Sequence, residues 1–218
     1  ATSFALQHAS NPGAQLFILD GTPPDAAHAT PGLGELAGVL PVETRTGRLQ
    51  DVEALLLEVS AEAGRRQQTD AASEPPILLI IHGLQRFRDL RRSDDFSFSM
   101  SDDGGEPLHA VFARLLEQGP EVGVHVMAWC DSVTNMERTL DRRTIHEFDQ
   151  RVVFQMSVMD STAIIDSPLA SRLGANRAIL WNDEESRAST FRPYAAPESD
   201  WLRSLFVAGT PRPADEPA

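Results

Sequence analysis

The amino-acid sequence predicts an α/β protein with a mostly parallel central sheet and a hairpin near the C-terminal end. Three observations support this fold class. The apolar run at residues 77–81 (ILLII) needs cover on both faces, which is typical of a central strand in a parallel sheet. Strand-like and helix-like stretches alternate along most of the chain. A turn-rich segment at residues 183–186 separates two short strand-like runs near the end.

The first third of the chain is predicted to lead into the central strand. Its elements are a helix over 1–10, a strand over 15–19, one helical turn near 33–37, a short strand over 39–42 and a helix over 47–68. The last helix has the strongest support. Its apolar residues recur at helical intervals, and acidic residues precede Arg65 and Arg66, which is the charge order that the helix dipole favours.

The remaining elements continue the alternation of helix and strand. They are a short helix over 84–92, a polar loop over 93–106, a helix over 107–118, a strand over 122–129, a helical connection over 134–148, a strand over 151–156, a helix over 157–165, a turn over 169–173, strands over 177–181 and 188–192, and a last short helix. We expect one domain over residues 1–208 and a disordered tail over 209–218.

The composition excludes several classes of protein. With 32 acidic and 19 basic residues the net charge is −13, which argues against a duplex-binding surface spread over the whole chain. The single cysteine, Cys130, cannot form an internal disulfide. No run approaches the roughly 20 apolar residues of a membrane helix. We therefore expect a cytoplasmic protein. Because helical spacing is already under way at residue 1, we also expect the chain to start inside a larger protein.

Three segments carry a recognisable pattern: PPILLIIHGL at 75–84, GVHVMAWCDSV at 123–133, and RVVFQMSVMDSTAIIDSPLASRLGANRAILW at 151–181. In this order they resemble the FtsK/SpoIIIE family of DNA-pumping ATPases, whose motor is a RecA-like P-loop domain. The first is similar to the family's Walker B strand, and the second to its strand that ends in a sensor residue. The resemblance implies a RecA-like three-layer αβα fold, ATP and Mg²⁺ as cofactors, DNA as a partner and a homo-oligomeric ring.

The resemblance also assigns catalytic positions. The Walker B acids fall on His82 and Gly83, the sensor falls on about Asp131, and Arg151 matches an arginine that reaches a neighbouring subunit's nucleotide. An imidazole is a poor Mg²⁺ ligand compared with a carboxylate, and glycine has no side chain to act as a base. An arginine that opens a strand is as often a surface ion-pair partner.

The phosphate-binding loop of such a motor is not found. The loop needs glycine amides and a Lys, and the sequence contains no Lys. Residues 1–10 look like the tail of the helix that follows this loop in the family. We therefore expect the C-terminal portion of a motor domain that does not hydrolyse ATP by itself and has a structural or regulatory role in a larger DNA-acting assembly.

Two other functions stay open. The chain could be a fragment of an active DNA translocase whose phosphate loop lies upstream and whose catalytic carboxylate is a residue such as Asp131. It could also be a protein-interaction module that needs no nucleotide. Residues upstream of Ala1 would distinguish the first of these from an inactive subunit, and nucleotide-induced thermal stabilisation would test the second.

Other groupings have simpler explanations. A metal site from His82, His125, Cys130 and Asp131 is conceivable, but His125 is expected to be a hydrogen-bonded core residue. A thiol-hydrolase site at Cys130 lacks a nucleophile elbow. Two arginine clusters could contact DNA, although nearby acids favour solvated helices with local ion pairs: Arg86, Arg88, Arg91 and Arg92, and then Arg138, Arg142 and Arg143. Phe96 and Phe98 are expected to hold their loop in place by packing rather than to bind a partner.

Overall fold

The part of the chain that can be described includes nearly all of the predicted elements. The computed structural model describes residues 2–9, 11, 13–23, 25, 33–69, 74–92, 106–194, 198, 200, 201, 203 and 204. The predictions for the loop at 93–105, with Phe96 and Phe98, and for the tail at 209–218 lie outside these residues.

The central sheet has four strands, and all neighbouring strands run parallel. They are β1 (Gln15–Asp20), β2 (Glu43–Gly47), β3 (Ile77–His82) and β4 (Val124–Trp129), in the order β2-β1-β3-β4. The predicted central strand is β3, with β1 on one side and β4 on the other. The predicted fold class, α/β with a mostly parallel central sheet and a C-terminal hairpin, is confirmed.

Helices cover both faces of this sheet. In chain order, the helices within residues 2–165 are α1 (Thr2–Gln7), α2 (Leu33–Ala37), α3 (Val52–Gln67), α4 (Leu108–Gln118), α5 (Val133–Met136), α6 (Arg142–His146) and α7 (Val158–Ile165), of which α7 packs outside the two cores of this sheet. Successive strand residues point to opposite faces. Thus Leu79 and Ile81 of β3 pack with α3 and α4 in the larger core, while Ile80 packs in a smaller core with Ala5 of α1. Burial on both faces explains why the run at 77–81 is apolar throughout.

A second, antiparallel sheet follows the central one in the chain. Its strands are β5 (Gln150–Val153), β6 (Ala178–Asn182) and β7 (Arg187–Phe191), in that order. Val153 and Ile179 of this sheet form a third core with Ile164 and Ile165 of α7. This strand was predicted at 151–156, but it begins one residue earlier and ends at Val153.

Several element boundaries differ from the predictions. The strand expected at 39–42 lies instead at Glu43–Gly47, whose polar sequence suits an edge strand. The helix expected at 84–92 is two 3₁₀ turns, Leu84–Arg86 and Arg88–Leu90, because buried Phe87 leaves the helical region at φ −83° and ψ 90°. The connection at 134–148 contains α5 and α6, with N-caps at Ser132 and Asp141. Within the described residues, no helix is both long enough and apolar enough to cross a membrane.

Candidate functional site

Three neighbouring strands of the central sheet end at the same level. Asp20 of β1 is paired in register with His82 of β3, and His82 is paired with Trp129 of β4. The rings of His82 and Trp129 stack with their centroids 4.9 Å apart and their planes within 15° of parallel. Ligands bind beyond the carboxyl ends of strands in open parallel sheets, so this edge is the candidate site.

Asp20 is the centre of a hydrogen-bonded network at this edge. Its carboxylate accepts hydrogen bonds from the Thr22 backbone N–H at 2.9 Å and from the Thr22 hydroxyl. The guanidinium of Arg48, which directly follows β2, lies 3.0 Å from Oδ2. Nδ1 of His82 lies 3.2 Å from the Thr22 hydroxyl and 3.5 Å from Oδ1 of Asp20. Asp20 thus connects three strands by side-chain contacts.

These contacts fix the charge state of Asp20. Burial raises the pKa of its carboxyl, but the hydrogen bonds from Thr22 and the charge of Arg48 outweigh this effect and leave the pKa below its ordinary value. Asp20 is therefore ionised at neutral pH, and its charge is compensated by Arg48 inside the chain. A carboxylate already bonded to these partners has little capacity left to coordinate a cation.

Gly83 occupies a position that suits glycine alone. Its φ is +81°, in the left-handed region, and its N–H donates to the Trp129 carbonyl at 3.1 Å. The turn packs against Gly21, where an added Cβ would lie 2.7 Å from the His82 carbonyl oxygen. A carboxylate side chain at position 83 would be strained in this backbone.

Asp131 and Cys130 follow β4 on the same edge. Asp131 is exposed, and its Oδ1 accepts hydrogen bonds from Asn135 at 2.8 Å and from Ser132 at 3.1 Å. Burial raises the pKa of the Cys130 thiol, and its Sγ lies 3.5 Å from the Ser132 carbonyl. Cys130 is therefore a protonated thiol at neutral pH, which does not fit a thiol nucleophile.

The grouping considered for a metal is not assembled. Among the described residues, no three His, Cys, Asp or Glu side chains gather closely enough to hold a metal ion. His125 is exposed on β4, so the expectation that it is a core histidine is wrong. It lies four residues before the end of the strand, away from His82 at the carboxyl edge.

Arg151 lies on β5 of the second sheet, and it lines one groove together with Trp129 and Asp131 of the carboxyl edge. It is 6% exposed, and it donates hydrogen bonds to the carbonyls of Phe148 at 3.1 Å and Ile164 at 2.6 Å. It also forms an ion pair with Asp183. The pKa of Asp183 is lowered, first by a hydrogen bond from Trp181 and also by the charge of Arg151. These contacts join β5, α7 and the β6–β7 turn, and a role at a neighbouring subunit's nucleotide stays a prediction.

Sequence reasoning placed His82, Gly83 and Asp131 at this edge but missed Asp20, Arg48 and Trp129. A usable signal was present for two of them. Asp20 and Trp129 each end a buried-type strand, as His82 does, and the ends of adjacent parallel strands meet. Arg48 follows a polar edge strand whose position was mispredicted, so no sequence signal linked it to Asp20.

The two arginine clusters adjoin in the structure. The backbone N–H of Arg92 donates to the carbonyl of Arg138 at 3.0 Å. Three of these arginines have other partners: Arg142 lies 3.6 Å from Asp166, Arg143 lies 2.8 Å from Glu117, and half-buried Arg91 donates to the Gln85 carbonyl at 2.8 Å. We refer to the exposed residues Arg86, Arg88, Arg92 and Arg138 as the arginine surface.

A groove of about 430 Å³ separates β4 from β5. Ala128 and Trp129 of β4 line one side, and Val152 and Val153 of β5 line the other. Asp131 and Asp160 also line it. The groove is therefore bounded by a strand of each sheet.

The comparisons give a likeness in fold. No protein family matches the sequence, and no relative is found among curated proteins. Among solved structures, the chain resembles the genome packaging NTPase B204 from Sulfolobus turreted icosahedral virus 2. The TM-score is 0.55 at 10% identity for the complex with ATP-gammaS, covering 88% of both chains. It is 0.54 at 10% identity for the complex with AMPPCP, covering 88% of this chain and 89% of that chain. For the sulfate complex it is 0.51 at 9% identity, covering 87% and 86%.

Proposed function

We propose that this chain is a motor-type domain of the FtsK/SpoIIIE kind that does not hydrolyse ATP and acts as a structural or regulatory module of a larger DNA-acting assembly. The observation that carries the proposal is the sequence His82-Gly83 at the end of β3, in a chain with the fold of a packaging NTPase. A motor of this kind orders Mg²⁺ and attacking water with acids at these two positions.

The residues of the carboxyl edge do not fit Mg²⁺-ATP. Asp20 is bonded to Thr22 and Arg48, and His82 is stacked on Trp129. Asp131 adds an exposed negative charge, which repels a triphosphate. The chain has no Lys to bind the β and γ phosphates. No step of hydrolysis can be derived from these residues.

The test of inactivity is ATP turnover by the whole chain, measured with Mg²⁺ in the presence and absence of duplex DNA. We expect no turnover above that of the heat-denatured protein. We also expect no rise in Tm with about 1 mM ATP-gammaS, because a ligand bound only by the native state would stabilise it. Turnover that disappears in Asp131→Asn would refute the proposal and favour an active enzyme with Asp131 as its catalytic carboxylate.

The proposed DNA partner is supported by the arginine surface and by the fold likeness to a genome packaging NTPase. We expect weak binding to duplex DNA that decreases with salt, because each phosphate contact contributes about 0.9 to the slope of log K against log salt. The double variant Arg86→Ser, Arg88→Ser should reduce this slope. The control is Arg187→Ser, which removes an exposed arginine of β7 that is paired with Glu185.

Fluorescence anisotropy with a labelled duplex measures both affinity and slope. No binding at the lowest salt concentration, or equal loss in Arg187→Ser, would contradict a DNA contact at the arginine surface. Either result would leave the turnover test unaffected, because the two measurements address different surfaces.

A further inference from the structure

We propose that the outer edge of β7 pairs with the same edge of a second copy of this chain. The two β7 strands would run antiparallel, and the two three-stranded sheets would join into one continuous sheet. The inference uses the backbone direction, the exposure and the sequence of β7, so it does not depend on whether the chain hydrolyses ATP or binds DNA.

The backbone groups on the outer edge of β7 have no strand partner. The N–H of Asp183 donates to the Asp149 carbonyl at 2.8 Å, so every second residue of β6, counted back from Asp183, bonds to β5, and the other residues of β6 bond to β7. The β7 residues that bond to β6 are then Arg187, Ser189 and Phe191. Ala188 and Thr190 therefore direct their N–H and carbonyl groups outward. The described part of the chain contains no strand beyond β7.

The edge of β7 lacks the usual protection of an end strand. End strands are commonly protected by charges within the strand, by proline or by a covering segment. β2, an end strand of the central sheet, has both Glu43 and Arg45 inside it. In β7 the only charged residue is Arg187 at the first position, and all five residues are exposed. An open edge of this kind is a template for another strand.

The register of the pair follows from the two residues that face outward. A two-fold axis perpendicular to the sheet places one residue of β7 opposite the same residue of the second copy. With Ser189 on this axis, Ala188 lies opposite Thr190 of the second copy, and the two form a hydrogen-bonded pair. The N–H groups and carbonyls of both outward-facing residues would then be used in each copy.

The side chains of β7 are complementary in this register. Arg187 and Phe191 lie two residues on either side of Ser189, so Arg187 of each copy lies opposite Phe191 of the other, on one face of the sheet. A guanidinium over an aromatic ring is attractive. Both side chains are available, because Arg187 is exposed and Phe191 is 38% exposed. A shift of the axis by one residue in either direction would place Arg187 opposite Ser189 or Pro193 instead.

This pairing closes on itself. Each copy uses the same edge, so a two-fold pair leaves no β7 edge for a third copy. Because β7 has only five residues, the interface would be smaller than the roughly 1,200 Å² of most stable complexes. We therefore expect a weak dimer with a Kd on the order of 10 to 100 µM, and a monomer below about 1 µM.

Sedimentation velocity of the whole chain, from about 1 µM to about 1 mM protein, measures the assembly. We expect the monomer to convert to a dimer and to nothing larger. Amide hydrogen exchange followed by NMR over the same range locates the contact, because exchange at Ala188 and Thr190 should slow by about fivefold or more as the dimer forms. A monomer at the highest concentration, an assembly larger than a dimer, or protection of these two amides already at the lowest concentration would overturn the proposal.

A charge exchange tests the register. Phe191→Arg places a second cation opposite Arg187 and should weaken the dimer by about tenfold, because like charges on opposite strands repel. Adding Arg187→Glu to this variant places opposite charges across the pair and should restore the dimer. Positions 187 and 191 of one copy are about 13 Å apart along the strand, so restoration would require a contact between copies.

The matched control is Arg45→Glu, which reverses the charge of an exposed arginine on the end strand β2 and should leave the dimer unchanged. Failure of the double variant to restore the dimer would overturn the proposed register. An equal loss in Arg45→Glu would overturn the choice of β7 as the paired edge.

Discussion

Replacement of Arg151 by methionine is the sharpest test of the second sheet. The side chain is 6% exposed and bonds to the Phe148 and Ile164 carbonyls and to Asp183. Methionine keeps much of the volume but leaves the two carbonyls without this donor, while Asp183 keeps its hydrogen bond from Trp181. An orphaned buried acceptor costs about 1 to 3 kcal/mol. The loss of both carbonyl bonds and of the ion pair with partly exposed Asp183 should lower the free energy of unfolding by about 3 to 5 kcal/mol in total.

Urea denaturation followed by tryptophan fluorescence measures this change. The control is Arg143→Met, because Arg143 is exposed and paired with Glu117 at the surface, where the loss should be less than about 1 kcal/mol. A loss below about 1 kcal/mol for Arg151→Met would refute the reasoning, because the guanidinium would then not hold β5, α7 and the hairpin together. Unchanged stability with altered activity of a ring would instead support an arginine that acts on a neighbouring subunit.

Three further changes test separate parts of the fold. Hydrogen bonds from Arg65 and Arg66 outweigh the opposing effect of burial and lower the pKa of Glu62 from 4.5 to about 2. The unfolded state therefore binds more protons than the folded state, and stability rises with pH between about 2 and 5. Glu62→Gln should flatten this part of a urea-unfolding pH profile, and an unchanged profile would contradict the reasoning. Ser161→Ala leaves the Ser167 carbonyl and the Ala170 N–H without their partner and should lower the unfolding free energy by about 1 to 3 kcal/mol. Its control, Ser171→Ala at a half-buried residue with a local bond to the Pro168 carbonyl, should cost less. Gly83→Ala should cost about 1 to 2 kcal/mol by thermal unfolding because φ is +81°, and a neutral effect would mean that the turn relaxes.

The two inner strands of the central sheet, β1 and β3, were predictable because they are buried on both faces. The run at 77–81 and the strand ends at Asp20 and His82 follow from hydrophobic patterning, and their convergence follows from parallel pairing. Patterning could not find β2, because an edge strand with alternating exposure carries little apolar signal. It also misplaced His125, since β4 has only one strand neighbour and its alternate residues stay exposed.

The candidate site was predictable in position but not in chemistry. Sequence order locates His82 and Asp131 at one edge, because His82 ends β3 and Asp131 closely follows β4, and these parallel strands are neighbours in the sheet. The bonds that decide their behaviour come from residues far away in the chain. Arg48 reaches Asp20 across 28 positions, and Thr22 lies beside His82 across 60. Such contacts depend on how loops return to the sheet, which local patterns do not specify.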